Sequence, residues 1–139
     1  MKIIVLGCGN IGSVAAKDIA ETLSSAEVVM ADVDKNRAQE AVSRIGLKNV
    51  GWIQANASNY SKLASKLENF DIVVGALPGG LGYQACKASI KAKKDIADVS
   101  YMPEKPLTLN EDALKANVTI VPDCGLAPGI SNLLVGRAV

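Results

Sequence analysis

The sequence contains no histidine among its 139 residues. Imidazole is the usual general acid and base near neutral pH and a common zinc ligand, so mechanisms that use it are excluded within this chain. Hydrolysis by a Ser-His-Asp triad and dehydrogenation with a histidine base are therefore ruled out.

Cysteine is scarce as well. Cys8, Cys86 and Cys124 lie far apart, and no C-x-x-C pair occurs. An odd number of widely spaced cysteines favours neither a zinc cage nor a disulfide framework. We therefore predict no metal site and a reducing, cytoplasmic location.

Aromatic residues make up only 4% of the chain, and the net charge is +1. A balanced charge with few aromatic rings gives no footprint for nucleic acid, and we predict no nucleic-acid partner. The longest apolar runs fall short of the ~20 residues that a membrane span needs, so we predict no membrane contact. A hydrophobic fraction of 49% with 21% charged residues indicates a globular domain.

Strand and helix patterns alternate six times along the chain. The strand-like runs are short and rich in β-branched residues, which is typical of parallel strands buried on both faces. They cover residues 2–7, 27–32, 50–55, 71–75, 94–98 and 118–122. The alternation predicts an α/β fold: a doubly wound, Rossmann-type parallel sheet of six strands in the order 3-2-1-4-5-6.

Two further expectations concern the helices. In the first helix, the apolar positions Ile11, Ala15, Ile19 and Leu23 are four residues apart, with Ala16 and Ala20 beside them, and this spacing predicts an apolar helix face. Later in the chain, a threonine three residues before a glutamate at 108–111 matches a capping box and predicts a helix that begins there.

A glycine-rich turn follows the first strand. Gly7, Gly9 and Gly12 have the spacing G-x-G-x-x-G and open a helix. Gly7 permits the tight turn, Gly9 lets the backbone approach a pyrophosphate, and Gly12 lets the helix pack closely on the strand. The helix N-terminus offers free N–H groups to the phosphates. Taken alone, the glycines could be simple turn formers. Cys8 between them could have a lowered pKa at the helix N-terminus, but we interpret it as a small side chain that fits between two glycines.

An acid closes the second strand at the position where a dinucleotide site needs one. Asp32 lies 20 residues after Gly12. A carboxylate there accepts the hydroxyls of the adenosine ribose and repels a 2′-phosphate, which predicts NAD rather than NADP as the cofactor. Arg37 could weaken this preference for NAD, but it lies in the following helix and is expected to face solvent.

The ends of the later strands should border the same crevice. The fourth strand ends in the small residues of Gly75-Ala76-Leu77-Pro78, against which a nicotinamide ribose could lie. Asp98, Ser100, Tyr101 and Asp123 follow the fifth and sixth strands and are candidates for contact with nicotinamide or substrate. Acids at such positions also cap helices, so Asp98 and Asp123 have a purely structural alternative.

Tyr83 and Lys87 have the spacing of the proton-transfer pair of short-chain dehydrogenases. They fall on the helix after the fourth strand, one unit too early for that family, and the glycine spacing differs. We therefore interpret Lys87 as a solvated helix residue.

Three blocks of sequence resemble the saccharopine dehydrogenase family, and most closely its lysine 6-dehydrogenase branch. The similarity extends over the whole chain in one register. The blocks are Gly75-Ala76-Leu77-Pro78-Gly79, Asp98-Val99-Ser100-Tyr101-Met102-Pro103-Glu104 and Asp123-Cys124-Gly125-Leu126-Ala127-Pro128-Gly129-Ile130-Ser131-Asn132.

The resemblance implies a set of cofactor-binding residues. It assigns the pyrophosphate to the glycine loop, the adenosine ribose to Asp32 with Val33 beside it, and the nicotinamide ribose to the ends of the fourth and fifth strands. The residues implied for pyrophosphate are Gly7, Gly9, Asn10, Ile11 and Gly12, and those implied for the nicotinamide ribose are Ala76, Leu77, Pro78, Asp98, Val99 and Ser100. No residue is assigned to proton transfer; Ser100, Tyr101 and Asp123 are the substrate-side candidates.

The resemblance also implies an activity: oxidative deamination of an amino acid, lysine or a relative, with NAD as the hydride acceptor. Ala127 stands where saccharopine dehydrogenases proper usually carry aspartate, which favours the lysine branch. Residues 1–129 are expected to form the NAD-binding domain and 130–139 to begin a helix toward a second domain absent from this chain. We expect the complete enzyme to be a homodimer, and the uncovered terminal helix to cause self-association.

A second hypothesis is a non-catalytic NAD(H)-sensing regulatory domain of a potassium uptake system. Such domains are of similar length and share the glycine loop and the acid. The block from Asp123 to Asn132 argues against this hypothesis, because a sensor has no evident use for it.

Overall fold

A computed structural model describes residues 1–138. Its centre is a parallel sheet in the order β3-β2-β1-β4-β5-β6, which confirms the predicted topology. The strands are β1 (Lys2–Leu6), β2 (Glu27–Asp32), β3 (Val50–Gln54), β4 (Ile72–Gly75), β5 (Asp95–Asp98) and β6 (Ile120–Val121). The helices are α1 (Asn10–Thr22), α2 (Lys35–Ile45), α3 (Tyr60–Leu67), α4 (Gly79–Ala92), α5 (Asn110–Ala116) and α6 (Ile130–Ala138).

Both faces of the sheet are covered by helices. On one face Ile4 and Leu6 of β1 pack with side chains of α3 and α4, among them Leu63 and Leu67. On the other face Val5 packs with small side chains of α1 and α2. Because successive side chains of a strand point to opposite faces, the uninterrupted apolar run of β1 serves both layers.

The buried face of α1 includes Ala16 and Ala20 of the predicted apolar set but not its largest side chains. Its buried residues are Gly12, Ala16 and Ala20, whereas Ile11 and Leu23 are exposed. The reason is the closeness of the helix to β1: a Cβ built on Gly12 would overlap the carbonyl oxygen of Gly7. Only small side chains fit such a contact, so the larger apolar residues are displaced to the edges of the helix.

The predicted capping box is wrong. A 3-10 turn covers Pro106–Leu109, and α5 begins only at Asn110, with no side chain capping it. The hydroxyl of Thr108 donates to the carbonyl of Lys105 at 2.8 Å. Glu111 lies 3.9 Å from Lys115 instead of folding back onto the helix start. Thr108 therefore lies in the 3-10 turn that begins at Pro106 and does not cap the helix.

The edge strand β6 is shorter than predicted. It pairs only with β5, through Ile120 and Val121. Proline at 122 has no N–H to donate to a ladder, and the strand ends before it.

The helix α6 has no buried residue. Its apolar side chains include Leu133, which is 75% exposed, and Val135, which is 65% exposed. No helix within residues 1–138 has the length and hydropathy needed to cross a membrane.

Gly12→Ala should destabilise the fold. Alanine is the better helix former, but the added Cβ overlaps a backbone carbonyl that cannot move freely, and overpacking of this kind costs ~1–3 kcal/mol. Gly80→Ala is the matched control, because a Cβ at this helical, exposed glycine meets no atom within 4 Å. Urea unfolding should show a loss for Gly12→Ala and no loss for Gly80→Ala. Equal stabilities for the two variants would contradict the close contact.

Candidate functional site

A cleft of about 420 Å³ opens at the carboxyl ends of β1, β2, β3 and β4. Its walls are the loops that follow these strands, as expected for a ligand site at the switch point of a doubly wound sheet. Several sequence-predicted cofactor residues line it: Gly7, Gly9, Asn10, Ile11, Asp32, Val33, Ala76, Leu77 and Pro78.

The three glycines of the first loop have different surroundings. Gly7 has a φ of +100°, and a Cβ there would overlap the carbonyl oxygen of Ala76. Gly12 packs against Gly7 and does not line the cleft. At Gly9 a Cβ would meet no protein atom within 4 Å. Gly7 and Gly12 are therefore required by packing, whereas Gly9 leaves open space.

That open space lies at the N-terminus of α1. Gly9 is the N-cap, no side chain caps the helix, and its first turn contains no acid. The first N–H groups of a helix have no partner within it and carry partial positive charge, so they suit an anion such as a phosphate. The glycine loop thus forms a cradle that fits a pyrophosphate.

Asp32 is held in the wall of the cleft by a hydrogen bond from the glycine loop. The side chain is only 7% exposed. Its Oδ2 accepts the N–H of Cys8 at 3.0 Å, and its Oδ1 accepts the N–H of Asp34 at 2.9 Å. These two bonds fix the carboxylate and leave each oxygen able to accept another donor.

Arg37 is exposed, as predicted, but it also lies beside Asp32. Its guanidinium lies 3.8 Å from Oδ1 of Asp32, and the residue lines the cleft, although its side chain is 59% exposed. At this distance and exposure the ion pair contributes little stability. Its importance is local, since it places a positive charge beside Asp32.

Sequence reasoning missed the wall that follows β3. Ala55, Asn56, Ala57 and Ser58 line the cleft. The N–H of Ala55 donates to the carbonyl of Asp32 at 2.9 Å, which ties this loop to the second strand. The signal was available: in the predicted order β3 is the neighbour of β2, so its carboxyl end had to reach the same edge.

The residues predicted after β5 and β6 lie elsewhere. Asp98 and Ser100 are buried, and neither they nor Val99 line the cleft. Tyr101 is 73% exposed. Asp123, at a φ of 59°, is also outside the lining. The cleft therefore gathers the residues of the first four strands and not those of the last two.

Tyr83 and Lys87 do not form a catalytic pair in this arrangement. The hydroxyl of Tyr83 lies 2.9 Å from that of Thr108. The Nζ of Lys87 lies 4.6 Å from the centroid of the Tyr60 ring, so this half-buried lysine packs on an aromatic face. Tyr83 therefore binds the turn before α5, and Lys87 packs on α3.

Metal ligation and thiol chemistry find no support in the described part of the chain. Residues 1–138 contain no cluster of three His, Cys, Asp or Glu side chains that could hold a metal ion. Burial, together with the charge of Asp32, raises the pKa of Cys8 to about 12. Burial, together with Asp98, raises the pKa of Cys86 to about 12. Both thiols are therefore neutral at physiological pH.

The parallel sheet, the glycine cradle and the clamped acid define a dinucleotide-binding domain of the Rossmann class. The profile of the saccharopine dehydrogenase NADP-binding domain matches residues 3–121. The chain belongs to this family.

Similar proteins are much longer than this chain. Alpha-aminoadipic semialdehyde synthase of Arabidopsis thaliana is 26% identical over 120 residues, which are 86% of this chain and 11% of that protein. Saccharopine dehydrogenase [NADP(+), L-glutamate-forming] of Saccharomyces cerevisiae is 23% identical over 137 residues, 99% of this chain and 30% of that protein. The chain thus spans less than a third of either relative.

Solved structures support the fold. An apo saccharopine dehydrogenase (L-Glu forming) from Saccharomyces cerevisiae superposes with a TM-score of 0.84 at 23% identity, over 99% of this chain and 30% of that one. A probable dehydrogenase from Thermotoga maritima superposes with a TM-score of 0.64 at 24% identity, over 88% and 35% of the two chains.

Gly9→Ala should weaken binding of a nicotinamide dinucleotide without unfolding the domain. The new methyl group occupies the space through which the loop backbone approaches a phosphate. Loss of one hydrogen bond to a charged group costs ~1.5–3 kcal/mol, or roughly 10- to 150-fold in Kd. Fluorescence titration with NADH measures this, and Gly51→Ala is the control, because that glycine is equally open and lies outside the cleft. Equal affinity of the two variants would contradict the cradle.

Only one of the three thiols should react rapidly with Ellman's reagent in the folded protein. Cys124 is exposed, although partial desolvation raises its pKa too, whereas Cys8 and Cys86 are buried and have pKa values raised to about 12. Cys124→Ser should remove the rapid phase, and unfolding in urea should release the other two thiols. Two or more rapid thiols in the native protein would show that the glycine loop or α4 is more open than described.

Proposed function

We propose that this chain is the dinucleotide-binding part of an NAD-dependent amino-acid oxidoreductase. The observation that carries the proposal is the cleft itself, which brings together the pyrophosphate cradle at the start of α1 and the fixed carboxylate of Asp32 beside the glycine loop. Membership in the saccharopine dehydrogenase NADP-binding domain family supports the reaction class and favours it over a regulatory sensor.

Different residues of the chain bind different parts of the cofactor. The N–H groups at the start of α1 bind the pyrophosphate, Asp32 binds the adenosine ribose, and residues 55–58 enclose the adenine. Ala76, Leu77 and Pro78 flank the nicotinamide ribose. NAD supplies the hydride acceptor when bound; the protein binds it and orients it toward the amine-bearing carbon.

Asp32 is the reason to propose NAD, although the family is described as NADP-binding. A ribose with two free hydroxyls can donate to the two carboxylate oxygens, whereas a 2′-phosphate brings negative charge against them. Arg37 offsets part of that repulsion, because its guanidinium lies beside Oδ1. We therefore propose a preference for NAD that is finite rather than absolute.

Proton transfer and substrate binding need groups beyond the cleft. Of the side chains that line it, only Asp32 and Arg37 are charged, and both lie at the ribose end. We propose that the amine is lysine or a relative, as the lysine 6-dehydrogenase resemblance and Ala127 imply. Tyr101 and Asp123 remain the substrate-side candidates, and the complete enzyme is proposed to be a cytoplasmic homodimer with a second domain.

Amine-dependent reduction of NAD tests the reaction. We expect this chain to bind NADH and to reduce NAD very slowly with L-lysine, since the cleft alone neither orients the amine nor excludes water. Saccharopine is the comparison substrate. Faster reduction with saccharopine than with lysine would contradict the proposed substrate class.

Asp32→Ala should weaken NADH binding by roughly 10- to 150-fold, because a hydrogen bond to a charged group is worth ~1.5–3 kcal/mol. The same change should reduce the difference in affinity between NADH and NADPH, because the carboxylate that repels the 2′-phosphate is gone. Fluorescence titrations with both cofactors measure the two effects. Asp18→Ala, at an exposed acid outside the cleft, is the control. An unchanged NADH/NADPH ratio in Asp32→Ala would contradict the assignment.

A further inference from the structure

Asp98 is a fully buried carboxyl group that the proposed function leaves without a role. It ends β5, and its side chain is 0% exposed. Its Oδ1 accepts the N–H of Ser100 at 2.8 Å and also the hydroxyl of Ser100. Its Oδ2 has no hydrogen-bond partner. A buried polar oxygen without a partner is costly, and far more so when it is charged.

The groups around this carboxyl supply no cation. The titratable groups near enough to interact with it are Cys86 of α4 and Asp123 and Cys124 of the loop after β6. The N–H of Cys124 donates to the backbone carbonyl of Asp98 at 2.9 Å, not to its side chain. No lysine or arginine within residues 1–138 forms an ion pair with it. The site therefore suits a neutral carboxylic acid better than a carboxylate.

The segment from Asp98 to Tyr101 packs against the glycines that flank one wall of the cleft, the wall formed by Ala76, Leu77 and Pro78. Each of these glycines leaves room for one group of the segment. A Cβ on Gly75 would overlap Oδ2 of Asp98, one on Gly79 the carbonyl oxygen of Tyr101, and one on Gly82 the hydroxyl of Ser100. The N–H of Val99 also donates to the carbonyl of Gly75 at 2.9 Å.

We propose that Asp98 is a positioning residue that, as a neutral acid bonded to Ser100, holds the Ala76–Pro78 wall in place for the nicotinamide half of the cofactor. The inference rests on the proposed function, because that function gives the wall its ligand. Asp98 itself touches no cofactor. Its removal should therefore weaken binding of the nicotinamide end and leave the adenosine end unaffected.

Burial raises the pKa of Asp98; the bonds from Ser100 lower it in part, and nearby Asp123 raises it further. The folded protein then holds this proton more tightly than the unfolded chain does. The free energy of unfolding should fall as the pH rises from about 4, the ordinary carboxyl pKa, through the raised value. Asp98→Asn cannot ionise, so its stability relative to the wild type should increase over that range.

The binding test compares ADP, which probes the adenosine end, with NADH, which spans the cleft. In Asp98→Ala, the Kd for NADH should rise roughly tenfold, as expected when about 1.4 kcal/mol of support is lost, while the Kd for ADP stays constant. In Asp98→Asn, a neutral group of the same shape, both Kd values should match the wild type. If Asp98→Ala fails to fold, Ser100→Ala removes the hydroxyl bond alone and should show the same split to a smaller degree.

Equal changes for ADP and NADH in the alanine variants would overturn the positioning role, because a general loss of structure weakens both. The proposal that Asp98 is a neutral acid would be overturned if Asp98→Asn raised the Kd for NADH as much as Asp98→Ala does. It would also be overturned if the difference in unfolding free energy between Asp98→Asn and the wild type did not change above about pH 4. Failure of the wild-type chain to bind ADP would instead refute the proposed function, and with it any role at a cofactor. The unfolding measurement remains informative in that case, since it needs no ligand.

Discussion

The site depends on the close approach of two backbones. Gly7 turns the chain in the left-handed region, at a φ of +100°, directly against the carbonyl of Ala76, and Gly12 brings α1 against Gly7 in turn. No side chain fits at either contact. This crowding brings the ends of β1 and β4 together and leaves the N-terminus of α1 facing an open space. The anion cradle is therefore a consequence of packing as much as of the glycine motif.

The topology could be predicted because two features of the sequence indicate the same fold: buried β-branched runs, and helical spacing in the segments between them. Details that depend on tertiary packing could not. The spacing in α1 indicated an apolar face that included Ala16 and Ala20, but it did not show that only the small residues would be buried, with Ile11 and Leu23 exposed. Around Thr108, a local pattern was overridden because Lys105 and Tyr83 offered other hydrogen-bond partners.

The candidate site was predictable where a motif has a mechanism. The glycine loop and Asp32 line one cleft, and the loop after β3 is the part of its lining that the sequence analysis missed. Beyond β4 the sequence predicted which loops reach the edge of the sheet but not which way their side chains point. Asp98 and Ser100 turn inward, because Gly75 and Gly82 leave room for them below the wall. A strand-end acid in such a fold can thus act from beneath the site.

The central claim is that the cleft binds the cofactor through the glycine loop and Asp32. A crystal structure determined after soaking crystals of this chain with NADH tests it most directly, because it locates both ends of the cofactor at once. The account predicts the pyrophosphate at Gly9 and the start of α1, with both hydroxyls of the adenosine ribose on the carboxylate of Asp32. A cofactor bound elsewhere, or in the cleft with its adenosine ribose away from Asp32, would contradict it.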